Sequence, residues 1–375
     1  MKRSKLQAIS LCLVATALLL SGCTQSTSPF TDPVKSNRAA PRVHAFSSET
    51  PRADTAEAID AEFAERFARK ESAVDKAFRT DIVTDTAGDT RERMTYTHKF
   101  GTTELPTNPS RIVVIGLEDP MFALGVPMIA ANIPAQFYLR DELLAAGIEP
   151  IAVNGDTRTV NLEQVQTVKP DLILLRDSFD KNTWLALSNI APVAAFTLQD
   201  PETTLLAMAK ALGQYERGKE RLRKYYATAK EMRLRIKERI GNDSVAFLRI
   251  LNKEIRLYPY STSYISAFAY DLLNLTPDPM SVAFDEGNNS AVSLEMLPDI
   301  RADWLVVSSG YGMRSTQNDE IAKKRFASMK NDPLWSFIPA VKHGRMLEVD
   351  PKLWNSHGII SKERAMRELA DWMAP

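Results

Sequence analysis

Cysteine is nearly absent from this 375-residue chain, which has two, Cys12 and Cys23. Cys12 lies inside an apolar run at the N-terminus, so removal of that run leaves no pair for a disulfide. A thiol nucleophile in the fold is excluded with it, and stability must come from a large core. Histidine is scarce as well. His44, His98, His343 and His357 are scattered without metal-ligand spacing, which argues against a direct zinc or manganese site. No Gly-x-Ser-x-Gly elbow occurs, so an α/β-hydrolase is disfavoured. Gly310-Tyr-Gly-Met-Arg-Ser315 follows an apolar run, yet Ser315 stands where a dinucleotide fingerprint needs its third glycine. There is no excess charge of either sign, with 47 basic and 47 acidic side chains. That balance gives no footprint for nucleic acid.

What is present begins at the N-terminus. Lys2, Arg3 and Lys5 precede an almost wholly apolar stretch, and Leu20-Ser21-Gly22-Cys23 closes it. A basic start, a short apolar run and small residues make a secretory signal over 1–22. The run is too short for a comfortable membrane-spanning helix. The thiol of Cys23 is placed to take a diacylglyceryl group, and the four residues resemble a bacterial lipoprotein lipobox. Cleavage removes three of the 47 basic side chains, leaving 44 against 47 acidic ones, a net of −3.

Residues 24–54 are rich in Ser, Thr, Pro and Ala, a composition that buries too little surface to order itself. They read as a tether. In 55–78, Ile59, Phe63, Phe67 and Val74 recur at roughly helical spacing, which predicts an amphipathic helix of illegible purpose. The folded region is expected from about Tyr96. β-Branched and apolar runs at 111–115, 126–131, 150–153, 171–175 and 192–196 alternate with helical patterns. This predicts an α/β fold with a mainly parallel sheet covered on both faces. A long helix is expected over 216–240, where Leu222, Tyr225, Ala229, Met232, Ile236 and Ile240 recur and Gly241 stops the pattern. It would span roughly 35 to 40 Å, enough to cross between two lobes. Strands then resume at 245–251, 255–258, 304–308 and 345–349, and 361–373 closes as a helix.

One pattern occurs twice. Val160-Asn161-Leu162-Glu163 precedes a short helical stretch and Lys169-Pro170-Asp171-Leu172-Ile173-Leu174. Val292-Ser293-Leu294-Glu295 precedes another and Arg301-Ala302-Asp303-Trp304-Leu305-Val306. Asn161 and Ser293 are N-cap types, and each Glu sits beside the positive end of a helix dipole. Helix capping alone accounts for both copies; it leaves open why a surface carboxylate is placed once in each half.

His98-Lys-Phe-Gly-Thr-Thr-Glu-Leu-Pro-Thr-Asn-Pro-Ser-Arg-Ile-Val-Val-Ile115 resembles the opening of the iron-siderophore substrate-binding lipoproteins of ABC importers, class III binding proteins. Asn161-Leu-Glu-Gln-Val, Lys169-Pro-Asp-Leu-Ile-Leu, Leu187-Ser-Asn-Ile-Ala-Pro-Val193 and Val341-Lys-His-Gly-Arg-Met-Leu-Glu-Val-Asp350 with Trp354 fit the same family. The likeness covers about 96–374. It implies two βα-sandwich lobes, 96–215 and 242–375, joined by one rigid helix, 216–241, with the ligand in the cleft between them. Residues 23–95 stand outside as tether and extension. It also implies that Glu163 and Glu295 dock the two lobes on a permease dimer, away from the cleft, and that the chain acts as a lipid-anchored monomer on the extracellular face of the cell membrane.

A ferric siderophore is a large, often anionic chelate, so a cleft for it needs Arg or Lys and aromatic faces. Such groups sit on loops after the carboxyl ends of strands. Arg176 follows the 171–175 run directly, and pairing with Asp177 or Asp180 is its bland alternative. Tyr138 and Arg140 follow 126–131 in a segment where the family contacts ligand, though a first-turn helix pair fits equally. Arg158 reads as a solvated loop residue. Arg249 lies within an apolar strand, where an unpaired guanidinium is expensive, and the family has a ligand arginine there. Tyr264 is the best placed of Tyr258, Tyr260 and Tyr264. Tyr311 and Arg314 follow the 304–308 run, and Trp354 matches a position that often faces the cleft in the family, although a bare tryptophan is more often core. Iron would arrive already chelated, with no other cofactor. Haem, on an axial His357 or Tyr264, and cobalamin stay open as ligands, and an exported enzyme is the alternative class.

Overall fold

The computed structural model describes residues 53–84, 90–155, 157–261, 263–284, 291–312 and 316–375. Cys23 and Arg314 lie outside the described residues, as do the signal and most of the expected tether.

The first half of the fold is built on a five-stranded parallel sheet. Its order is Glu149–Pro150, Ala130–Ala131, Ile112–Ile115, Leu172–Arg176, Val193–Phe196. Apart from the terminal Arg176, the central strands are apolar at every position because both faces are covered. Ile112, Val114, Leu172 and Leu174 point into one core, and Val113, Ile115, Ile173 and Leu175 into another. The second half is mixed. Ala291–Val292, Ile255–Leu257, Ser244–Ile250, Trp304–Ser309 and Met346–Val349 lie in that order, with Thr276–Pro277 beside Ser244–Ile250. Three of its five pairings, including the two longest, are parallel, and the antiparallel ones are confined to one edge. Ile255–Leu257 returns directly on Ser244–Ile250 as an antiparallel pair, because Leu251 to Glu254 is too short a link for a crossover.

The long helix runs Tyr215–Ile240, a length of about 39 Å at 1.5 Å per residue. All six apolar residues expected on its inner face are buried, and Gly241 ends it with φ 56°. Gly218 is needed where this helix crosses Pro201–Ala211, since a Cβ there would come within 2.4 Å of the Ala209 Cβ. One continuous core joins residues of both lobes to this helix, so the lobes share packing as well as a connector.

The described fold begins well ahead of Tyr96. Thr55 caps a helix, Ala56–Ala77, whose Ile59, Phe63, Phe67 and Val74 are all buried, so the helix is packed and not merely nascent. Phe78–Thr84, Thr90–His98 and Gly101–Leu105 follow as an antiparallel sheet. It docks on the first lobe through Tyr96, stacked on Phe196 at 4.7 Å, and through Thr103 Oγ1, which donates to the Val193 carbonyl at 2.7 Å.

The repeated pattern has a structural basis in its aspartates. Asp171 Oδ2 accepts from the Ser110 N–H at 2.7 Å and its hydroxyl at 3.0 Å. Asp303 Oδ2 accepts from the Ser244 N–H and hydroxyl, both at 2.8 Å. Each thereby pins the start of the neighbouring strand. The caps are less alike. Asn161 accepts from the Gln164 N–H at 3.1 Å, whereas Ser293 makes no side-chain cap bond, because Leu294–Asp299 is a 3-10 turn containing Pro298.

Candidate functional site

A cleft of about 440 Å³ opens between the two halves. Its walls are the segments that follow the carboxyl ends of strands: Gly116 to Pro120, Asn132 to Tyr138, Val153 to Gly155, Ser178 and Phe179 on one side, Tyr311 and Pro351 to Gly358 on the other. That is where open α/β sheets hold ligands. A larger hollow, about 600 Å³, lies between Ala56–Ala77 and the long helix. It touches no strand end, and its walls are chiefly Phe63, Phe67, Tyr226 and Leu234.

Arg158, Arg176 and Lys352 bring positive charge to the cleft. Arg158 holds φ 56°, and its guanidinium donates to the Ser178 carbonyl at 2.5 Å, which ties two wall loops together. Arg176 ends its strand against Gly116, where a Cβ would lie 2.9 Å from the Arg176 Cβ. Opposing these cations are Glu118 and Asp119, both buried. Burial pushes the Glu118 carboxyl up to about 7, against the bond it accepts from the Gly116 N–H at 2.6 Å and the nearby Arg176 charge. Asp119 is also raised by burial, although Tyr138 and the backbone of the closing helix donate to it.

On the second lobe Asn355 is the hub. The Tyr258 and Tyr264 hydroxyls share a hydrogen bond of 2.7 Å, and both lie 3.2 Å from Asn355 Oδ1. His357 packs its ring 4.2 Å from that of Tyr264. The arrangement offers cationic and amide donors beside rings, suited to binding an anionic, ring-bearing solute. Among the described residues no group of three His, Cys, Asp or Glu could hold a metal ion.

A model of the family described as periplasmic binding protein matches residues 115–353. The chain belongs to this family. Among curated proteins it is 27% identical over 278 residues to the probable siderophore-binding lipoprotein YfiY of Bacillus subtilis, covering 70% of this chain and 82% of that one. It is 26% identical over 277 residues to the Fe(3+)-citrate-binding protein YfmC of the same organism, covering 72% and 82%. Of solved structures, Staphylococcus aureus SirA complexed with staphyloferrin B superposes with a TM-score of 0.63 at 21% identity, covering 74% of this chain and 97% of that one. That likeness concerns the fold, and it bears out two lobes joined by one long helix.

In this member of the family the expected ligand residues separate into groups. Tyr138, Arg176 and Tyr311 line the cleft together. Tyr264 stands just behind it, lining a smaller pocket that shares Leu198 and His357 with the cleft. Arg249 is one layer back: its Nε donates to the Gly310 carbonyl at 3.0 Å and its guanidinium lies 5.7 Å from the Tyr311 ring centroid. Arg140 is not among the lining residues, but its guanidinium donates to the Ile133 carbonyl at 3.0 Å, within the Asn132 to Tyr138 wall segment. Trp354 requires a correction. It is 1% exposed, packs on Phe247 and Phe268, and gives its indole N–H to Glu368 at 2.7 Å. It is a core residue, because the short helix Pro351–Trp354 turns its end inward.

Glu163 and Glu295 are exposed and outside the cleft lining. The Glu163 helix nevertheless starts beside the cleft wall, since the Asn161 N–H donates to the Ala152 carbonyl at 2.9 Å. Arg158, read as a solvated loop residue, is a wall residue, as are Asn132, Asn154, Lys352 and Asn355. The strand-end rule that selected Arg176 also reaches Lys352 and Asn355, which follow Met346–Val349.

Proposed function

We propose that this chain is an extracytoplasmic solute-binding lipoprotein that captures a ferric siderophore and delivers it to an ABC permease for iron uptake. The observation that carries the reading is the cleft itself, where Arg158 and Arg176 of one lobe and Lys352 of the other line one space with Tyr138, Tyr311 and His357. Charge-assisted donors from two sides suit an anionic chelate. The relatives named for siderophore and ferric citrate binding support the same class. Iron enters as part of the ligand, so the protein acts by binding and not by catalysis.

In this reading Tyr138, Arg176 and Tyr311 touch ligand with Arg158 and Lys352, and Tyr264, Arg249, Arg140 and Arg314 shape or border the site. Glu163 and Glu295 dock on a permease dimer. Cys23 carries the lipid that holds a monomer at the outer face of the cell membrane. Residues 96–215 and 242–375 are the lobes and 216–241 the connector. Haem is a second reading, favoured by His357 lying in the cleft against Tyr264.

Uptake of iron-55 from a ferric siderophore tests the proposal in cells that make the protein. Loss of the gene should abolish uptake, and the Cys23→Ser chain should be unprocessed or released and restore little. Full uptake without the gene would contradict the reading.

A further inference from the structure

The helix Ala56–Ala77 lies outside the family match, which begins at residue 115. It is continuous through the antiparallel sheet with the first lobe, yet its bonds reach the second. Arg66 grips Glu202 of the first lobe with two parallel bonds, Nε to Oε2 at 2.7 Å and Nη2 to Oε1 at 2.9 Å. Its remaining nitrogen, Nη1, donates to Asp271 of the second lobe. The Arg66 and Glu202 side chains are 11% and 4% exposed, so this forked pair is largely shielded from water. Tyr226 on the long helix adds a bond to Glu202 at 2.8 Å.

A second contact repeats the arrangement at the start of the helix. Asp54 Oδ1 accepts from Arg233 of the long helix at 2.7 Å and from Asn274 of the second lobe at 2.9 Å. Glu62 takes another Arg233 nitrogen at 2.9 Å. Lys70 pairs with Asp200, and Lys210 with Asp75, both at 2.6 Å on the first lobe. Arg66 and Lys70 also line the small pocket with Tyr264, Lys362, Leu198 and His357, and the last two belong to the cleft wall as well. The contacts therefore lie directly behind the cleft.

We propose that the Ala56–Ala77 helix is a second connector between the lobes, which restricts opening of the cleft through the Arg66–Asp271 and Asp54–Asn274 contacts. A single helical connector, even with shared core packing, holds the two lobes along one line and leaves small rotations about it. Two connectors on different lines remove most of that freedom. Opening by rotation separates Asp271 and Asn274 from partners fixed to the first lobe and the long helix, so the lobe spacing seen here is held before any ligand arrives. The inference is independent of which solute the cleft holds.

Pulsed electron resonance on the full chain, without ligand, tests it. Cys12 and Cys23 are replaced by Ser, and spin labels are attached through Leu185→Cys on the first lobe and Phe337→Cys on the second, sites 46% and 62% exposed. The reference chain should give one narrow distance distribution. Asp271→Ala with Asn274→Gly, which removes both acceptor and amide, suits the φ of 51° at 274 and leaves the Arg66–Glu202 pair intact, should widen it about twofold or move it to longer distance. Arg69→Gln, on an exposed i,i+4 pair of the same helix, should leave it unchanged. A distribution in the double variant identical to the reference, with both chains folded by circular dichroism, would overturn the proposal.

Discussion

Asp119, at the start of the first-lobe helix Glu118–Leu124, accepts the backbone N–H groups of Ile360 and Ser361 at 3.0 and 2.9 Å. The carboxylate of one lobe thus caps the closing helix Ile359–Met373 of the other. Gly358 makes room for it, since a Cβ there would sit 1.8 Å from the Asp119 carboxyl carbon. Removing the cap leaves buried donors unpaired, so Asp119→Ala should cost about 1 to 3 kcal/mol. Gly358→Ala should cost a similar amount, about 1 to 3 kcal/mol, by overpacking. Urea unfolding measures both. Losses under 0.5 kcal/mol, the range of an ordinary surface change, would deny the cap its role.

Lys362, next along that helix, is buried, gives its ammonium to the Trp354 carbonyl at 2.9 Å and lies over the Tyr264 and Phe268 rings. Burial lowers it from 10.5 to about 7, against the attraction of Asp119. Its folded pKa is below its unfolded one, so between those values the unfolded chain binds more protons and stability rises with pH. Lys362→Met should flatten that rise relative to wild type in melts from pH 7 to 10. Parallel curves for the two proteins would show that Lys362 keeps an ordinary pKa.

Arg176→Ala and Lys352→Ala should each weaken binding of an anionic chelate roughly ten- to a hundredfold, the scale of a charge-assisted hydrogen bond. Arg249→Ala should do less, since it acts through Tyr311. Glu118 gives the site a pH dependence. Its raised pKa means that it takes up a proton as pH falls through about 7, and a neutral Glu118 no longer repels an anion. Affinity should therefore rise below pH 7 in wild type and rise less in Glu118→Gln, where Asp119 is the remaining raised carboxyl. Calorimetric titration at pH 5.5 and 8 checks the sign.

Glu163→Ala and Glu295→Ala should leave ligand affinity within about twofold while lowering cellular uptake, the pair together most. Each loses at most a helix-end interaction, about 0.3 to 1 kcal/mol of stability. A large fall in ligand affinity with normal uptake coupling would remove the docking role.

The long helix was legible because its period is carried by six residues within one element, all of which pack inward. The parallel strands were legible through unbroken apolar runs. The role of Ala56–Ala77 was not, because Arg66 and Asp54 meet Asp271 and Asn274 more than two hundred residues away. In sequence such charges resemble a solvated face. The strand Phe78–Thr84 was hidden by alternating Arg79, Thr80 and Asp81 with little apolar signal. Trp354 and Arg249 show a different limit. A strand-end position brings a residue near the cleft, but whether its side chain turns outward depends on the packing of Phe247, Phe268 and Tyr311. Asn132, Asn154 and Asn355 line the cleft from loops, where no periodicity marks them.

The most direct measurement is calorimetric titration of the purified protein with a panel of ferric catecholate, hydroxamate and citrate-type chelates, alongside haem and cobalamin. Saturable one-to-one binding of a ferric chelate is expected, weakened by Arg176→Ala and by Lys352→Ala. Binding of haem or cobalamin alone, or of a ferric chelate with affinity untouched by either substitution, would contradict it.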